Sequence, residues 1–516
     1  MAIETYRSEP LTNFSQPENQ EAMHRALVQI KSEWGRSYPL IIGGQRIDTE
    51  EKMVSFNPAH PDQIVGRVSV ADGARIDQAL AAGWQAWDEW KRVPGTQRAR
   101  YLYKAAAIMR RKKFVLSAWE VYEAGKSWGE ADADVAEAID FLEYYGRQME
   151  RLSRGVELTP LPGEEDTAFY VPLGVGAIIP PWNFPLAILT GMTSAAIVAG
   201  NAVIVKPASP TAVIGAQFAA IMEEAGLPPG VLNFVPGDGG VIGDHMVTHP
   251  LTRFVSFTGS RAVGLRINQF AADSGPQQRW VKRVVAEMGG KDAILVDETA
   301  DLDAAADGIV TSAFGFQGQK CSACSRAVVV DAVYDAVLER AIARTKALVM
   351  GDPAAMETNI GPVIDDKAQK KIMGYIEWGK THAKLETGGE LGSTPGYFIQ
   401  PTIFSDVVPG SKIEQEEIFG PVLSFIRARD FAQGLDIVND TEYGLTGAVY
   451  SRRRDRIEQA MEEFEVGNLY INRKCTGAVV GAHPFGGFNM SGTDSKTGSP
   501  DYLLLFMQMK AVAEKY

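Results

Sequence analysis

Between residues 18 and 34, Met23, Ala26, Leu27 and Ile30 recur at three- and four-residue intervals, which predicts an amphipathic helix. The run PLIIGGQRI follows, and its Gly43-Gly44 pair predicts a tight turn between two short strands. From about residue 73 to 153 the helical period returns in IDQALAAGWQAW, RARYLYKAAAIMRRKKFVLSAWEVY and DVAEAIDFLEYYGRQM, with charges spread over the remaining faces. Residues 154–170 carry two short alternating runs about Pro162-Gly163, which predict a hairpin reaching out from the body.

Beyond residue 170 the pattern becomes strand, loop and helix in repetition. VGAIIP, AVIVKP, VLNFVPG, FVSFTG, DAILVD and AVVVD are short β-branched runs separated by helical stretches such as TAVIGAQFAAIMEEAG. A second series follows, with helices at DAVYDAVLERAIARTKALV and KAQKKIMGYIEWGK and strands at YFIQPTIF, VLSFIRA and LTGAVYS. Continuously apolar strands alternating with helices imply parallel sheets covered on both faces, hence a doubly wound α/β protein. The pattern divides into two α/β units near residue 287.

A length of 516 residues is enough for about three domains at ~150 residues each. Apolar residues make up 45% and charged residues 22%, an ordinary globular balance. The net charge of −13 speaks against nucleic-acid and anionic-membrane partners, which call for basic patches. Three cysteines do not make a disulfide framework and suit a reducing compartment. The N-terminus lacks the basic and apolar regions of a secretory signal, so a cytoplasmic location is expected. Residues 167–205 contain no charge, but Pro180, Pro181, Asn183, Pro185, Gly191 and Gly200 interrupt them too often for a membrane span.

The densest chemistry lies in residues 314–326, FGFQGQKCSACSR. A thiol there becomes a strong nucleophile if cations, a helix N-terminus or peptide N–H groups lower its pKa, which makes Cys321 a candidate nucleophile. A CxxC redox pair with Cys324, half a zinc site and a plain buried cysteine are the competing readings. Only six histidines are present, and His245 and His249 lie four apart without the Glu of a metalloprotease motif, so no metal site is expected.

Several strand ends carry polar groups where ligands bind in such sheets. Asn183, within the PWNFP run, could donate to an oxyanion, although turn chemistry also explains it. Lys206 after AVIV could hold ribose hydroxyls or a phosphate, or simply be solvated. Gly259 and Ser260 stand between a strand and a helix, where free N–H groups suit a pyrophosphate or mere capping. Glu287, ending a strand before two glycines, could serve as a general base or face solvent.

Taken together, PWNFP at 181–185, KP at 206–207, FTGS at 257–260, EMGGKD at 287–292, GQKCSA at 318–323, EEIFGP at 416–421 and PFGGF at 484–488 resemble the aldehyde dehydrogenase superfamily. Within it, NRKCTGAVVGAHPFGGFNMSGTDSKTG and the FGFQGQKCSA approach are similar to the glutamate semialdehyde (1-pyrroline-5-carboxylate) dehydrogenases of the monofunctional type. The resemblance implies NAD(P)-dependent oxidation of L-glutamate γ-semialdehyde to L-glutamate, with another ω-semialdehyde such as succinate semialdehyde as the alternative. It implies Cys321 as nucleophile, Asn183 as oxyanion donor and Glu287 as the base that activates water. Trp182, Lys206, Ser209, Gly259, Ser260, Glu417 and Phe419 are implied for the cofactor. Ser322, Gly477 and Ala478 are implied for the substrate carboxylate, with Phe184 and Phe485 flanking its aliphatic part. Many NAD-preferring members carry Glu where this chain has Ser209, so NAD use with NADP tolerated is expected.

The implied domains are an N-terminal lead-in (1–37), a Rossmann-like NAD(P)-binding domain (38–153 and 171–286), an α/β catalytic domain (287–483) and a small β oligomerisation element (154–170 and 484–516). A homodimer or an assembly of dimers follows from that element's exposed edges.

Overall fold

The computed structural model describes residues 6–392 and 395–516. Two seven-stranded sheets organise it. In the first, Arg283–Glu287, Phe254–Thr258, Val175–Ile179, Ala202–Val205 and Leu232–Phe234 run parallel in that order. The antiparallel pair Leu40–Ile42 and Gln45–Ile47 completes it, turning at Gly43 and Gly44, both at positive φ. In the second, Lys384–Thr387, Thr402–Ser405, Val422–Ala428, Cys324–Val330, Asp292–Val296, Thr446–Tyr450 and Asn468–Ile471 lie side by side, with only the first antiparallel to its neighbour.

Every residue of Val175–Ile179, Ala202–Val205, Asp292–Val296 and Thr446–Tyr450 is buried. That is the fate of parallel strands with helices on both faces, and it is why they read as unbroken apolar runs. The charge-free stretch resolves into strand Val175–Ile179, the buried helix Ala187–Val198 and strand Ala202–Val205. Among the described residues no helix is long and apolar enough to cross a membrane. Helices Gly95–Arg111, Lys113–Ala124 and Trp128–Leu152 pack with Ala187–Val198 into one core with the first sheet. A three-stranded sheet of Ser37–Tyr38, His60–Ser69 and Lys52–Asn57 lies outside the expected elements.

The chain passes from the first sheet to the second through Met288, Gly289, Gly290 and Lys291. A Cβ on Gly289 would lie 2.4 Å from a Glu417 oxygen, and one on Gly290 would lie 2.3 Å from the Cys321 carbonyl oxygen. The two glycines thus let three separate segments meet at the crossing.

The expected hairpin at 154–170 forms differently. Strand Glu164–Pro172 pairs antiparallel with Met507–Lys515 from one end to the other, and a single bridge between Val156 and Ala168 is what joins it to the preceding arm. That arm contains Pro160 and Pro162, which lack the N–H a ladder needs, whereas the C-terminal strand offers nine uninterrupted residues. Residues 484–498, grouped above with the oligomerisation element, fold back over Glu287: Met288 donates to the Ser491 carbonyl at 2.8 Å and Thr493 to that of Ala286 at 2.9 Å.

Candidate active site

Cys321 stands between the end of helix Leu302–Phe314 and the start of strand Cys324–Val330. The turn leading to it holds Phe316 and Gln317 at φ 49° and 57°, a left-handed conformation that costs of order 1–3 kcal/mol per non-glycine residue. Buried hydrogen bonds hold it there. The Gln317 amide donates to the carbonyls of Pro362 (2.8 Å) and Gly125 (3.2 Å), and Gln319 Oε1 accepts from the Ile364 N–H at 3.0 Å. The turn follows a helix rather than leading into one, so the expected helix start at Cys321 does not form. Burial, followed by the carboxylates of Asp292, Glu417 and Glu287, pushes the Cys321 thiol well up. Of the groups expected to lower that pKa, only a backbone N–H, that of Cys321 itself, acts on the sulfur, and burial and the carboxylates outweigh it.

Cys321 opens onto a cavity of about 750 Å3. Asn183 lines it, and so do Trp182, Lys206, Ser209, Gly259, Ser260, Glu417 and Phe419, contributed by loops after the strands of both sheets. Lys206 is buried, which lowers its pKa to about 8 against the opposing pull of Asp238. Ser260 precedes helix Arg261–Ala272 without its side chain capping it, leaving hydroxyl and helix N–H groups for an anion. Glu417 Oε1 accepts the Gly290 N–H at 3.1 Å. Phe419 sits at φ 61° with its ring edge-to-face on Trp182, centroids 5.5 Å apart. A long cavity with a cationic group, an uncapped helix start and a carboxylate at separate points fits a dinucleotide with its riboses and pyrophosphate.

Asn183 is buried and donates one amide N–H to the Gln319 carbonyl at 3.0 Å, which fixes the side chain against the turn two residues before Cys321. An amide has a second N–H, and that one is free to meet an oxyanion. Glu287 ends its strand buried, with Oε1 accepting from the Ser495 hydroxyl and Oε2 from the Gly487 N–H at 3.4 Å. Burial raises its pKa to about 7, while Ser495 and Gly487 pull the other way. It is not among the residues that line the cavity, yet its charge is close enough to raise the pKa of the Cys321 thiol.

Ser322, Gly477, Ala478, Phe184 and Phe485 do not line this cavity either. The Ser322 carbonyl accepts from Thr446 Oγ1 (3.4 Å) and Cys475 Sγ (3.5 Å), which ties the nucleophile turn to the loop bearing Gly477 and Ala478. Gly477 has φ 77°, and its carbonyl accepts from the Arg473 guanidinium at 2.9 Å. Phe485 exchanges backbone hydrogen bonds with Thr497 at 2.8 and 2.6 Å. Phe184 lies 4.8 Å beneath the ammonium of Lys126, which also sits 5.1 Å over Phe316. Cys324 is buried and free, its thiol 3.4 Å from the Arg326 carbonyl, as a packing residue would be.

Sequence reasoning missed Lys126, Glu130, Lys320 and Ser495. Lys126 is fully buried and paired with Glu120 (3.0 Å) and Asp134 (2.5 Å), and Asp134 also accepts the Ala187 N–H at 2.8 Å just beyond the PWNFP run. Lys320 pairs with Glu130 at 2.7 Å beside Cys321. Lys320 was visible as the neighbour of the nucleophile, whereas a lone Lys126 in AGKSW carries no mark of burial.

The sequence profile of the Aldehyde dehydrogenase family matches residues 46–512. The chain belongs to the aldehyde dehydrogenase family. It is 58% identical over 514 residues to the 1-pyrroline-5-carboxylate dehydrogenase of Geobacillus kaustophilus, covering 100% of each chain. Among solved structures it resembles a 1-pyrroline-5-carboxylate dehydrogenase from Thermus with bound NAD, at a TM-score of 0.99, 53% identity and 100% coverage of both chains. It also matches proline utilization A of Bdellovibrio bacteriovorus at 45% identity and a TM-score of 0.97, covering 99% of this chain and 53% of that one.

Proposed function

We propose that this aldehyde dehydrogenase oxidises L-glutamate γ-semialdehyde to L-glutamate with NAD, as part of proline or arginine breakdown. The observation that carries the reading is the convergence of Cys321 and Asn183 on one dinucleotide-sized cavity, in a chain 58% identical from end to end to a 1-pyrroline-5-carboxylate dehydrogenase.

NAD, when bound along Lys206, Ser260, Glu417 and Phe419, supplies the hydride acceptor and brings a cationic ring near the thiol. Cys321 passes its proton to solvent water and its thiolate attacks the aldehyde carbon, and the Asn183 amide with the Cys321 N–H steadies the oxyanion. Loss of hydride from that carbon leaves a thioester on Cys321. Glu287, with a pKa near 7, takes a proton from water as it hydrolyses the thioester and releases the acid. Ser322, Gly477 and Ala478 hold the substrate carboxylate, and Phe184 and Phe485 flank its methylenes. Ser209 brings no carboxylate to the cavity wall, so NADP is tolerated beside NAD.

Strand Glu164–Pro172 with Met507–Lys515 joins subunits into dimers, because Phe169, Met509 and Val512 are exposed on this two-stranded ladder. Light scattering giving a monomer contradicts that assembly. A cytoplasmic setting accords with three cysteines that are free.

Steady-state assay with glutamate and succinate semialdehydes, each with NAD and NADP, tests the proposal. The glutamate semialdehyde should show the higher kcat/KM with NAD, with measurable NADP activity. Faster turnover of succinate semialdehyde refutes the substrate, and complete rejection of NADP refutes the role given to Ser209.

A further inference from the structure

His245 and His249, set aside on sequence spacing alone, meet a third group in the fold. Helix Asp244–Thr248 carries His245, and His249 caps its end. Asp77, from helix Gly73–Trp90 and 168 residues from His245, lies between them. Its Oδ1 stands 2.6 Å from His245 Nε2 and 3.4 Å from His249 Nε2. All three donor atoms lie within 4.8 Å of one another, and among the described residues no other group of His, Cys, Asp and Glu does so.

We propose that Asp77, His245 and His249 form a binding site for a zinc-class divalent cation, which fastens one wall of the large cavity. Two imidazoles and one carboxylate are the donor set such ions favour, with water completing the tetrahedron. Donors bound at about 2.1 Å in a tetrahedron lie roughly 3.4 Å apart. The His249–Asp77 separation already matches, and only the closer His245–Asp77 pair must open as its proton is exchanged for the cation. His249 Nδ1 accepts the Leu251 N–H at 3.1 Å, so ligation through Nε2 shifts the ring proton to Nδ1 and gives up that contact. The neighbouring charges are already engaged: Asp244 is paired with Arg266, and Lys282 donates to the Val247 carbonyl at 2.6 Å.

The placement gives the site a consequence. Asp244 and Val247, on the same helical turn, line the cavity together with Gly239, Gly240 and Gly243 just before them. Joining this turn to the helix bearing Asp77 restrains the glycine-rich wall before a dinucleotide arrives, so less order is lost on binding. This consequence rests on the cavity being the cofactor site, whereas cation binding does not.

The test is calorimetric titration of Zn2+ into the full-length Cys321→Ala protein, since the Cys321 thiol is itself a zinc ligand. One equivalent should bind with a Kd on the order of micromolar, and Asp77→Asn, His245→Ala and His249→Ala added singly should each weaken it at least tenfold. Absence of a saturable site, or uptake unchanged in those variants, overturns the proposal. In the same protein, NAD affinity followed by intrinsic fluorescence should rise about threefold at saturating Zn2+, and His245→Ala should abolish the rise. NAD affinity that ignores Zn2+ overturns the restraint of the wall, and failure of NAD to bind at all overturns the cavity assignment instead.

Discussion

The two sides of Cys321 are built on different principles. Toward the cavity the walls are glycine-rich loop backbone, apolar and aromatic side chains, and polar groups at separated points: Lys206, Glu417, Ser260. Away from it, the turn before Cys321 and the 473–478 loop are packed around ion pairs, the fully buried Lys126 with Glu120 and Asp134, and the partly buried Lys320 with Glu130. The contrast separates two tasks. A dinucleotide is gripped at many distant points, so no single wall contact has to be exact, whereas a short substrate must present one carbon to one sulfur. The packed side therefore carries the cost of burying charge, which conformational precision repays.

This difference can be broken experimentally, most severely on the packed side. Lys126→Met leaves Asp134 buried without its cation and removes the ammonium from above Phe184 and Phe316. It should cost about 3–5 kcal/mol of stability, visible as a lowered thermal midpoint, and the folded fraction should lose kcat more than it loses NAD affinity. Loss of NAD affinity alone would erase the distinction between the two sides.

Ser495→Ala tests the second largest effect. The Ser495 hydroxyl holds the Glu287 pKa down against burial, so its loss raises that pKa above about 7. The base works ionised, and the rate therefore climbs with pH through the Glu287 pKa. The ascending limb of the kcat profile should move upward by roughly one pH unit, about 1.4 kcal/mol. An unmoved limb would mean that Glu287 does not set it.

The smallest effect is expected on the cavity side. Ser209→Glu places a carboxylate on the wall, and NADP efficiency should fall about tenfold while NAD changes by less than about threefold. A comparable loss with NAD would show that this wall is as exacting as the packed one.

Legibility in the sequence follows the same division. The cavity side is made of strand-end motifs, each a local run such as PWNFP or FTGS; Asn183, Lys206 and Ser260 stand out in such runs, whereas Trp182, Ser209, Glu417 and Phe419 were candidates only through the family resemblance, and the fold brings all seven to one cavity. The parallel strands showed as apolar runs because burial on both faces leaves no alternation. The packed side was hidden in two ways: Lys126, although only eight residues from Asp134, carries no mark of burial in the sequence, and Lys320 and Glu130 are 190 residues apart. The same holds for Glu164–Pro172, whose strand partner begins at Met507. The proline-interrupted arm beside it was the nearer partner and the poorer one. Cys321 stood out in the sequence as a candidate nucleophile, but its electrostatics did not, since Asp292 and Glu417 approach it through the glycine crossing.

The central claim is that Cys321 carries the acyl group and Glu287 releases it. Its most direct test mixes the Glu287→Gln enzyme with NAD and glutamate semialdehyde, following NADH by stopped flow and the Cys321 peptide by mass spectrometry. The account predicts a burst of one NADH per subunit, an acyl adduct on Cys321, and steady turnover reduced by about 10²–10⁴. Full steady turnover with no adduct on Cys321 would contradict it.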